Sequence, residues 1–390
     1  MGEDRFERRH REDRPVLALC YDFDKTLTPD DMQAQGFIAE VGWDTPEFWA
    51  AANALGMSNE MDQNLAYMRM MVAEAEGRVI VTREKLAHYG ARVKLFPGVQ
   101  SWFRRIRDYG AAQGVIVEHY IISSGLKEMI EGTEMAKNGD FEQIYASSFY
   151  FGPRGTAVWP AQAVNFTNKT QFLFRIEKGV PDVNDPAVND YFPPDQLRVP
   201  FRNMVYIGDS DTDIPCMKLV HANGGYSIGV YDPDSGDRKK VHKMMRDNRI
   251  KFFAPADYGE GGELDELVKA IIRRTAANEV LEQRYFAQRN EVAAADRSAA
   301  MTEADREKET LIASLESSRT FANTHTVIQA LSQFDSWTDS QRESLFRIAR
   351  RNKQVYWILK DPDVSAFYRK LLAGTDDPGE DGRKLSDDLT

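Results

Sequence analysis

The stretch VLALCYDFDKTLTPDD fills residues 16–31. Its apolar run (16–23) has the composition of a buried strand, and the strand delivers Asp22, Asp24, Lys25 and Thr26 to its end, with Asp31 just beyond. Such a run has two readings: an acidic capped turn at the surface, or a reactive site. Asp-x-Asp-x-Thr is a common pattern, so the turn is the simpler reading for the stretch alone. The rest of the chain decides between them.

Working outward, the segment between about 31 and 95 spaces its apolar residues by three and four, as in GFIAEVG, PEFWAAANAL and NLAYMRMMVAEA. That spacing predicts a helical insert placed directly after the first strand. From LFPGVQSWFRRIRDYG onward the pattern becomes helix (99–109), strand (VEHYIISS), helix (LKEMIEGTEMA). Alternation of this kind indicates an α/β sheet with parallel strands. SSFYFGPRGTAVWP reads as a hairpin around the turn 152–155, and NKTQFLFRIEKG as a helix closed by Gly179. A Pro- and Asp-rich loop (180–200) leads to NMVYIGDSDTD, a second apolar strand ending in acids. GGYSIGVY is the next strand, and LDELVKAIIRR the last helix of this body.

The expected architecture is a Rossmann-like parallel sheet formed by residues 15–30 and 96–272, a helical cap over 31–95, and an all-α C-terminal extension. Within the extension, 273–319 has no Gly or Pro and reads as a long helical linker, 320–374 as a helical module, and 375–390 as a disordered acidic tail. Residues 1–14 read as a charged tail.

The 390 residues include 42% hydrophobic and 11% aromatic side chains, enough for a substantial core. A net charge of −11 argues against a general nucleic-acid binder, which needs clustered Lys and Arg, but leaves room for a small anionic ligand. Cys20 and Cys216, the two cysteines, cannot build a disulfide framework and read as buried free thiols. There is no signal-peptide pattern and no apolar run of membrane-spanning length, so the chain reads as soluble and cytoplasmic.

Open α/β sheets bind ligands beyond the carboxyl ends of their strands. The first strand brings Asp22, Asp24 and Thr26 there; the second ends in Ser123, followed by Ser124 and Gly125; the last brings Asp209 and Asp213, with Asp211 between them as a solvated loop acid. Lys169 begins the intervening helix. A carboxylate can attack phosphorus and split a hydrolysis into two easier steps, a role that suits Asp22. A second acid must protonate the departing oxygen and then accept a proton from water, a role open to Asp24 where the strand bends into its loop. Thr26, Ser123 and Ser124 can donate to phosphoryl oxygens, and Lys169 can neutralise developing charge. Carboxylates facing a phosphate require a divalent cation, and oxygen-only ligands favour Mg²⁺.

As an ordered set, Asp22-Phe23-Asp24-Lys25-Thr26, Ser123, Lys169 and GDSDTD (208–213) resemble the four motifs of the haloacid dehalogenase superfamily over about residues 15–272. The resemblance implies Asp22 as nucleophile and Asp24 as general acid/base. It also implies Mg²⁺ held by Asp22, the Asp24 carbonyl and Asp209, with Asp213 as a further ligand or support. An acid at the position of Asp24 implies a phosphatase or phosphotransferase, because the dehalogenases lack one there. The insert at 31–95 and the hairpin at 147–159 make the chain similar to the phosphoserine phosphatase branch. That branch has Ser-Gly-Gly where this chain has Ser123-Ser124-Gly125. The whole of 15–272 looks more like a bacterial group of uncharacterised haloacid-dehalogenase-like hydrolases. Asp31 and Arg69 stand where the branch has its substrate-selecting acid and arginine.

The expected activity is therefore Mg²⁺-dependent hydrolysis of a small phosphorylated metabolite. Transfer to an acceptor other than water is the alternative at the same site. A reading of another class makes the protein regulatory, with 273–374 binding a protein partner or a second copy. The basic run RKKVHKMMRDNRIK (238–251) reads as a solvated, Met-anchored helix in preference to an anion site. No His/Cys spacing suggests zinc, and no G-x-S-x-G elbow or P-loop is present.

Overall fold

Strand β1 (Val16–Tyr21) is buried at every position. Its alternation divides those residues between two hydrophobic cores: Leu17, Leu19 and Tyr21 enter one, Val16, Ala18 and Cys20 the other. A strand buried on both faces belongs in the middle of a sheet, which explains why this run is continuously apolar. The computed structural model, which describes residues 14–300, 303–375 and 377–389, puts it there.

Seven strands form one sheet: β1, β2 (Ile116–Leu126), β3 (Gln143–Phe151), β4 (Ala157–Gln162), β5 (Met204–Gly208), β6 (Tyr226–Tyr231) and β7 (Phe252–Pro255). Their order is β4-β3-β2-β1-β5-β6-β7. All pairings are parallel except β3 with β4, the expected hairpin. β2 and β5 flank β1 from chain segments on opposite sides of the sheet, so a crevice opens at the carboxyl ends of these three strands. Strand β7, FFAP, is too short to show a period and is the one strand not expected from the sequence.

The insert after β1 holds four helices, α1 (Phe37–Glu40), α2 (Thr45–Ser58), α3 (Gln63–Ala75) and α4 (Arg83–Gly90). Phe37, Phe48, Tyr67, Met71, Leu86 and Tyr89 of these helices belong to the same hydrophobic cluster as Leu17 and Tyr21. The cap thus has no core separate from that face of the sheet. Helix α5 (Val99–Ala112) covers the same face through Trp102, Phe103 and Ile106. Two short helices follow β2, α6 (Lys127–Glu131) and α7 (Glu134–Lys137), divided at Gly132 where the sequence reads as one. The other face is covered by α8 (Thr170–Lys178), α9 (Ile214–Ala222) and α10 (Lys239–Arg246). Gly179 closes α8 in the left-handed conformation, as its position in the sequence requires. Helix α10 buries Val241 and Met244 and leaves its lysines outward, which is the anchoring read from the basic run.

One buried polar chain crosses the first core. Trp102 Nε1 donates to the Tyr21 hydroxyl at 2.8 Å, and that hydroxyl donates to His119 Nδ1 at 3.0 Å. His119 Nε2 then donates to the Phe103 carbonyl at 3.1 Å. The chain fixes a neutral imidazole, and burial pushes its pKa down to about 3.

The chain divides into two compact units, Met1–Arg284 and Tyr285–Thr390. Helix α11 (Glu263–Ala300) buries Leu264, Val268, Ile271 and Ile272 in the first unit. The second unit contains α12 (Glu303–Glu316), α13 (Phe321–Leu331), α14 (Asp339–Arg351), α15 (Lys353–Trp357), α16 (Pro362–Ala373) and α17 (Gly379–Asp388). Its own core joins Leu315, Ile328, Leu345, Phe346, Val355 and Tyr368. Helix α17 corrects the expectation of a disordered tail over 375–390: Leu385 is fully buried and Leu389 nearly so, and Arg350 pairs with Asp381 at 2.9 Å. Most of the expected tail over 1–14 lies outside the described residues. Cys20 and Cys216 are free and buried. Among the described residues no helix is long and apolar enough to cross a membrane.

Candidate active site

The site begins where β1 stops. Asp22 N–H still donates to the Ile207 carbonyl at 3.0 Å, as a strand residue would. The chain then turns: Leu27 N–H bonds back to the Phe23 carbonyl at 2.9 Å, and Lys25 takes a left-handed φ of 58°. That conformation costs a residue with a side chain about 1–2 kcal/mol, a strain of the kind found at functional sites. Phe23 points into the core, 1% exposed, while Asp22 and Asp24, two apart, line one cavity of about 250 Å³. Ser123, Ser124, Gly125, Asp31 and Asp209 line it as well.

Lys169 is fully buried behind Asp22, brought there by a turn that a capping box of Asn165 and Asn168 fixes. Its ammonium stands 2.8 Å from Asp213 Oδ1 and 3.5 Å from Asp22 Oδ1. Asp213 also accepts from the Tyr206 hydroxyl at 2.9 Å, from Ser210 N–H at 3.0 Å and from the Ser210 hydroxyl at 2.7 Å. Four donors fill its two oxygens. Asp22 Oδ1 accepts from Phe23 N–H at 2.8 Å.

Asp24 Oδ1 accepts from Met32 N–H at 2.8 Å. Its Oδ2 lies against Gly125, where a Cβ would approach to 2.8 Å. A side chain at position 125 would make Met32, Asp24 or both shift. β2 continues through both serines to Leu126, beyond the strand end expected from the sequence, with its register irregular after Ser123. The Ser123 hydroxyl accepts from Gly125 N–H at 3.1 Å.

Electrostatics sets this cluster apart from an ordinary acidic turn. Burial, with Asp213 next and Lys169 opposing, pushes Asp22 up to about 7. Burial raises Asp209 to about 6, with Lys240 opposing at 3.4 Å. Asp24 is held well above the usual carboxylate range by burial, then by Asp31 and Asp22. Three carboxylates that resist ionisation are groups short of positive charge. Oxygens of Asp22, Asp209 and Asp213 lie within 4.8 Å of one another, a spacing that could hold a metal ion. The donors are all oxygen, which suits a hard divalent cation.

Two expected residues do not reach the cavity. Thr26 is fully buried, and the turn that carries Asp24 outward points the Thr26 side chain into the protein. Its hydroxyl has no partner among the described residues, and its carbonyl accepts from Tyr258 at 2.8 Å. Arg69 is exposed on α3; the helix presents Asn64 and Tyr67 to the cavity instead. Asp31 does line it, paired with Lys25 at 2.9 Å. Asp211 is exposed, as read. The sequence reading passed over Gln33, Trp49, Asn64, Tyr67 and Lys240, all on the cavity wall. Helical phase would have put Asn64 and Tyr67 on one face of α3, three residues apart.

Residues 19–218, just over half of the chain, match the family of haloacid dehalogenase-like hydrolases, and the chain belongs to that family. An uncharacterised protein of Borreliella burgdorferi is 27% identical over 277 residues, or 64% of this chain and 94% of that protein. Two solved structures are similar at low identity. A probable phosphoserine phosphatase of Vibrio cholerae is 14% identical with a TM-score of 0.43, over 71% of this chain and 69% of that one. A phosphoserine phosphohydrolase-like protein of Francisella tularensis is 17% identical with a TM-score of 0.38, over 61% and 94%.

Proposed function

We propose that this hydrolase is a Mg²⁺-dependent phosphatase that cleaves a small phosphomonoester through an aspartyl-phosphate on Asp22. The observation that carries this reading is the placement of two carboxyls on one cavity, one of them beside a buried ammonium. Asp22 has a lysine ammonium 3.5 Å from Oδ1, which favours its anion. Both acids resist ionisation through burial, but the only cation that opposes it at Asp24 is the more distant Lys25, with no ion pair among the described residues. One is set to attack and the other to hold a proton, the division of labour that two-step hydrolysis needs.

With Oδ1 of Asp22 tied to Phe23 N–H and Lys169, Oδ2 is the oxygen that attacks phosphorus. The bond to the leaving oxygen breaks as Asp24 gives that oxygen its proton. Asp24, now a carboxylate, takes a proton from a water that attacks the aspartyl-phosphate, and the bond to Asp22 breaks. Ser123 and Ser124 stand on the cavity wall as donors to the phosphoryl group. Lys169 offsets the charge that gathers on Asp22. Mg²⁺ would be held by Asp22, Asp209 and the Asp24 carbonyl, and would supply charge neutralisation between carboxylates and phosphate. Asp213, already filled by four donors, holds Lys169 in place and supports the metal site from behind.

The test is phosphate release from p-nitrophenyl phosphate with Mg²⁺, with and without chelator, in wild type and Asp22→Asn. Chelator-sensitive release that Asp22→Asn abolishes supports the reading; full activity in Asp22→Asn overturns it.

The second unit favours an added role, because it has its own core and an aromatic-lined cavity of about 440 Å³ beside Phe334, Trp337 and Phe367. We assign it to partner binding or self-association. Unchanged turnover with loss of a copurifying partner on deletion of 285–390 is the expected result.

A further inference from the structure

Helix α10 connects the cavity to the basic run 238–251. Lys240, in its first turn, stands on the cavity wall with 48% of its side chain exposed, 3.4 Å from Asp209. Lys239, Lys243 and Arg246 are exposed on the same helix, and none has an ion pair among the described residues.

Val241 and Met244 anchor the helix, which leaves the residues three and four apart on its outer side as neighbours. Lys243 is four residues from Lys239, three from Lys240 and three from Arg246. It is the centre of a cationic stripe that starts at the cavity. By itself this arrangement is unfavourable. Like charges at those spacings repel, and the first turn holds two lysines and no acid, at the end where a helix favours anions. Asp237 accepts from Lys239 N–H at 2.9 Å, so the backbone is partly capped while the ammonium groups of Lys239 and Lys243 stay free. The chain as a whole carries a charge of −11, so the stripe is a local feature and not part of a general basic surface. A stripe of this kind, with one member on a cavity wall, fits an anionic group carried by the cavity's occupant.

Chemistry and size narrow that group. A phosphate dianion accepts charge-assisted hydrogen bonds from two or three ammonium groups at once, more than a carboxylate can use. Eight helical residues span about 12 Å, too short a stripe to track an extended polyanion. The cavity, about 250 Å³, holds the scissile phosphoryl group and the carbons next to it, and leaves the far end of the leaving group outside. Building on the phosphatase reading, we propose that Lys240 and Lys243 bind a second phosphate on the leaving group. The preferred substrate is then a small bisphosphate, cleaved at the end that enters the cavity. Neither lysine belongs to the four motifs.

The test uses the full chain with Mg²⁺ and five esters: the bisphosphates of 1,3-propanediol and 1,6-hexanediol, the two matching monophosphates, and a 5′-phosphorylated oligonucleotide. Two spacings are needed because the reach from the cavity to Lys243 depends on the path of the ligand. Wild type is expected to favour at least one bisphosphate over its monophosphate by tenfold or more in kcat/KM, beyond the factor of two that equivalent phosphates give. Lys240→Gln and Lys243→Gln should each lower that ratio by fivefold or more, mainly through KM. Lys243→Arg, which keeps the charge, should retain most of it. The ratio should also shrink between about 50 and about 500 mM salt, because exposed charges are screened. A ratio taken within one variant does not depend on how much of it is folded. Equal rates for bisphosphate and monophosphate at both lengths, or a preference unchanged in both glutamine variants, overturns this proposal and leaves the phosphatase reading standing. Preference for the oligonucleotide over both bisphosphates gives the stripe to nucleic acid and overturns it as well. Absence of Mg²⁺-dependent release from every ester overturns both readings.

Discussion

Lys169 couples two of the site's carboxylates. Its fully buried ammonium stands between Asp22 and Asp213, both of them buried. Removing one partner of such a cluster leaves uncompensated charge in a medium that solvates it poorly. Lys169→Met should lower turnover by about 100-fold or more, and stability by roughly 3–5 kcal/mol. Phosphate release and urea unfolding measure the two separately. Metal affinity should depend on pH in a stated direction. Asp22 and Asp209, raised by burial to about 7 and about 6, hold protons that a cation must displace. Mg²⁺ binding should therefore weaken as pH falls from 7.5 to 5.5, and calorimetry in buffers of different ionisation enthalpy should register proton release. Affinity independent of pH would contradict the assignment. At this scale the acids gathered at the cavity were legible in DFDKTLT and GDSDTD, because both runs end an apolar strand in closely spaced carboxylates. The Thr26 hydroxyl was not, because the direction of a side chain in a tight turn depends on φ values that composition does not report.

Among the elements, the turn after β2 and the insert control how Asp24 is presented. Gly125→Ala would place a Cβ 2.8 Å from Asp24 Oδ2 and 2.4 Å from Met32 Cε. Displacing Asp24 by about 1 Å is enough to cost about 100-fold in rate. This variant should lose turnover by that order while its melting temperature stays near wild type. A second coupling joins the start of α3 to the turn that carries Lys169: Asn64 holds the Val164 carbonyl at 2.6 Å, and Asp62 accepts from Asn165 Nδ2 at 3.1 Å. The cap is thereby tied through two hydrogen bonds to the turn that places Lys169. The periodicity of 31–95 was enough to find this insert, since α2, α3 and α4 bury apolar stripes. It did not identify the residues that line the cavity, because Gln33 lies in a turn and Trp49 sits beside buried Phe48 without a polar pattern around it. Arg69 was misplaced by phase: Tyr67, Met68, Met70 and Met71 turn inward and leave it outside.

Across the molecule, pH should act on stability through His119 as well as on catalysis through the acids. An imidazole held neutral down to about 3 takes up no proton where the unfolded chain does, below about 6.5. The unfolded state then binds more protons, so this contribution is lost as pH falls from about 6.5. The raised carboxyls of Asp22 and Asp209 act in the opposite direction, and comparison with a His119 variant separates the two. Between pH 7.5 and 5.0 wild type should lose about 2 kcal/mol more than His119→Asn, read from urea midpoints. The sheet order and the two covered faces follow from continuously apolar strands alternating with amphipathic helices, which is why the architecture could be read from sequence. Helix α17 could not: GEDGRKLSDD has a single apolar side chain, Leu385, which joins the second core together with the following Leu389. The central claim concerns Asp22. Its most direct test is to acid-quench the wild-type enzyme during turnover of a phosphate-labelled ester and map the label by peptide. The account predicts label on the peptide carrying Asp22, dependent on Mg²⁺ and absent from Asp22→Asn; label on another residue, or wild-type turnover by Asp22→Asn, would contradict it.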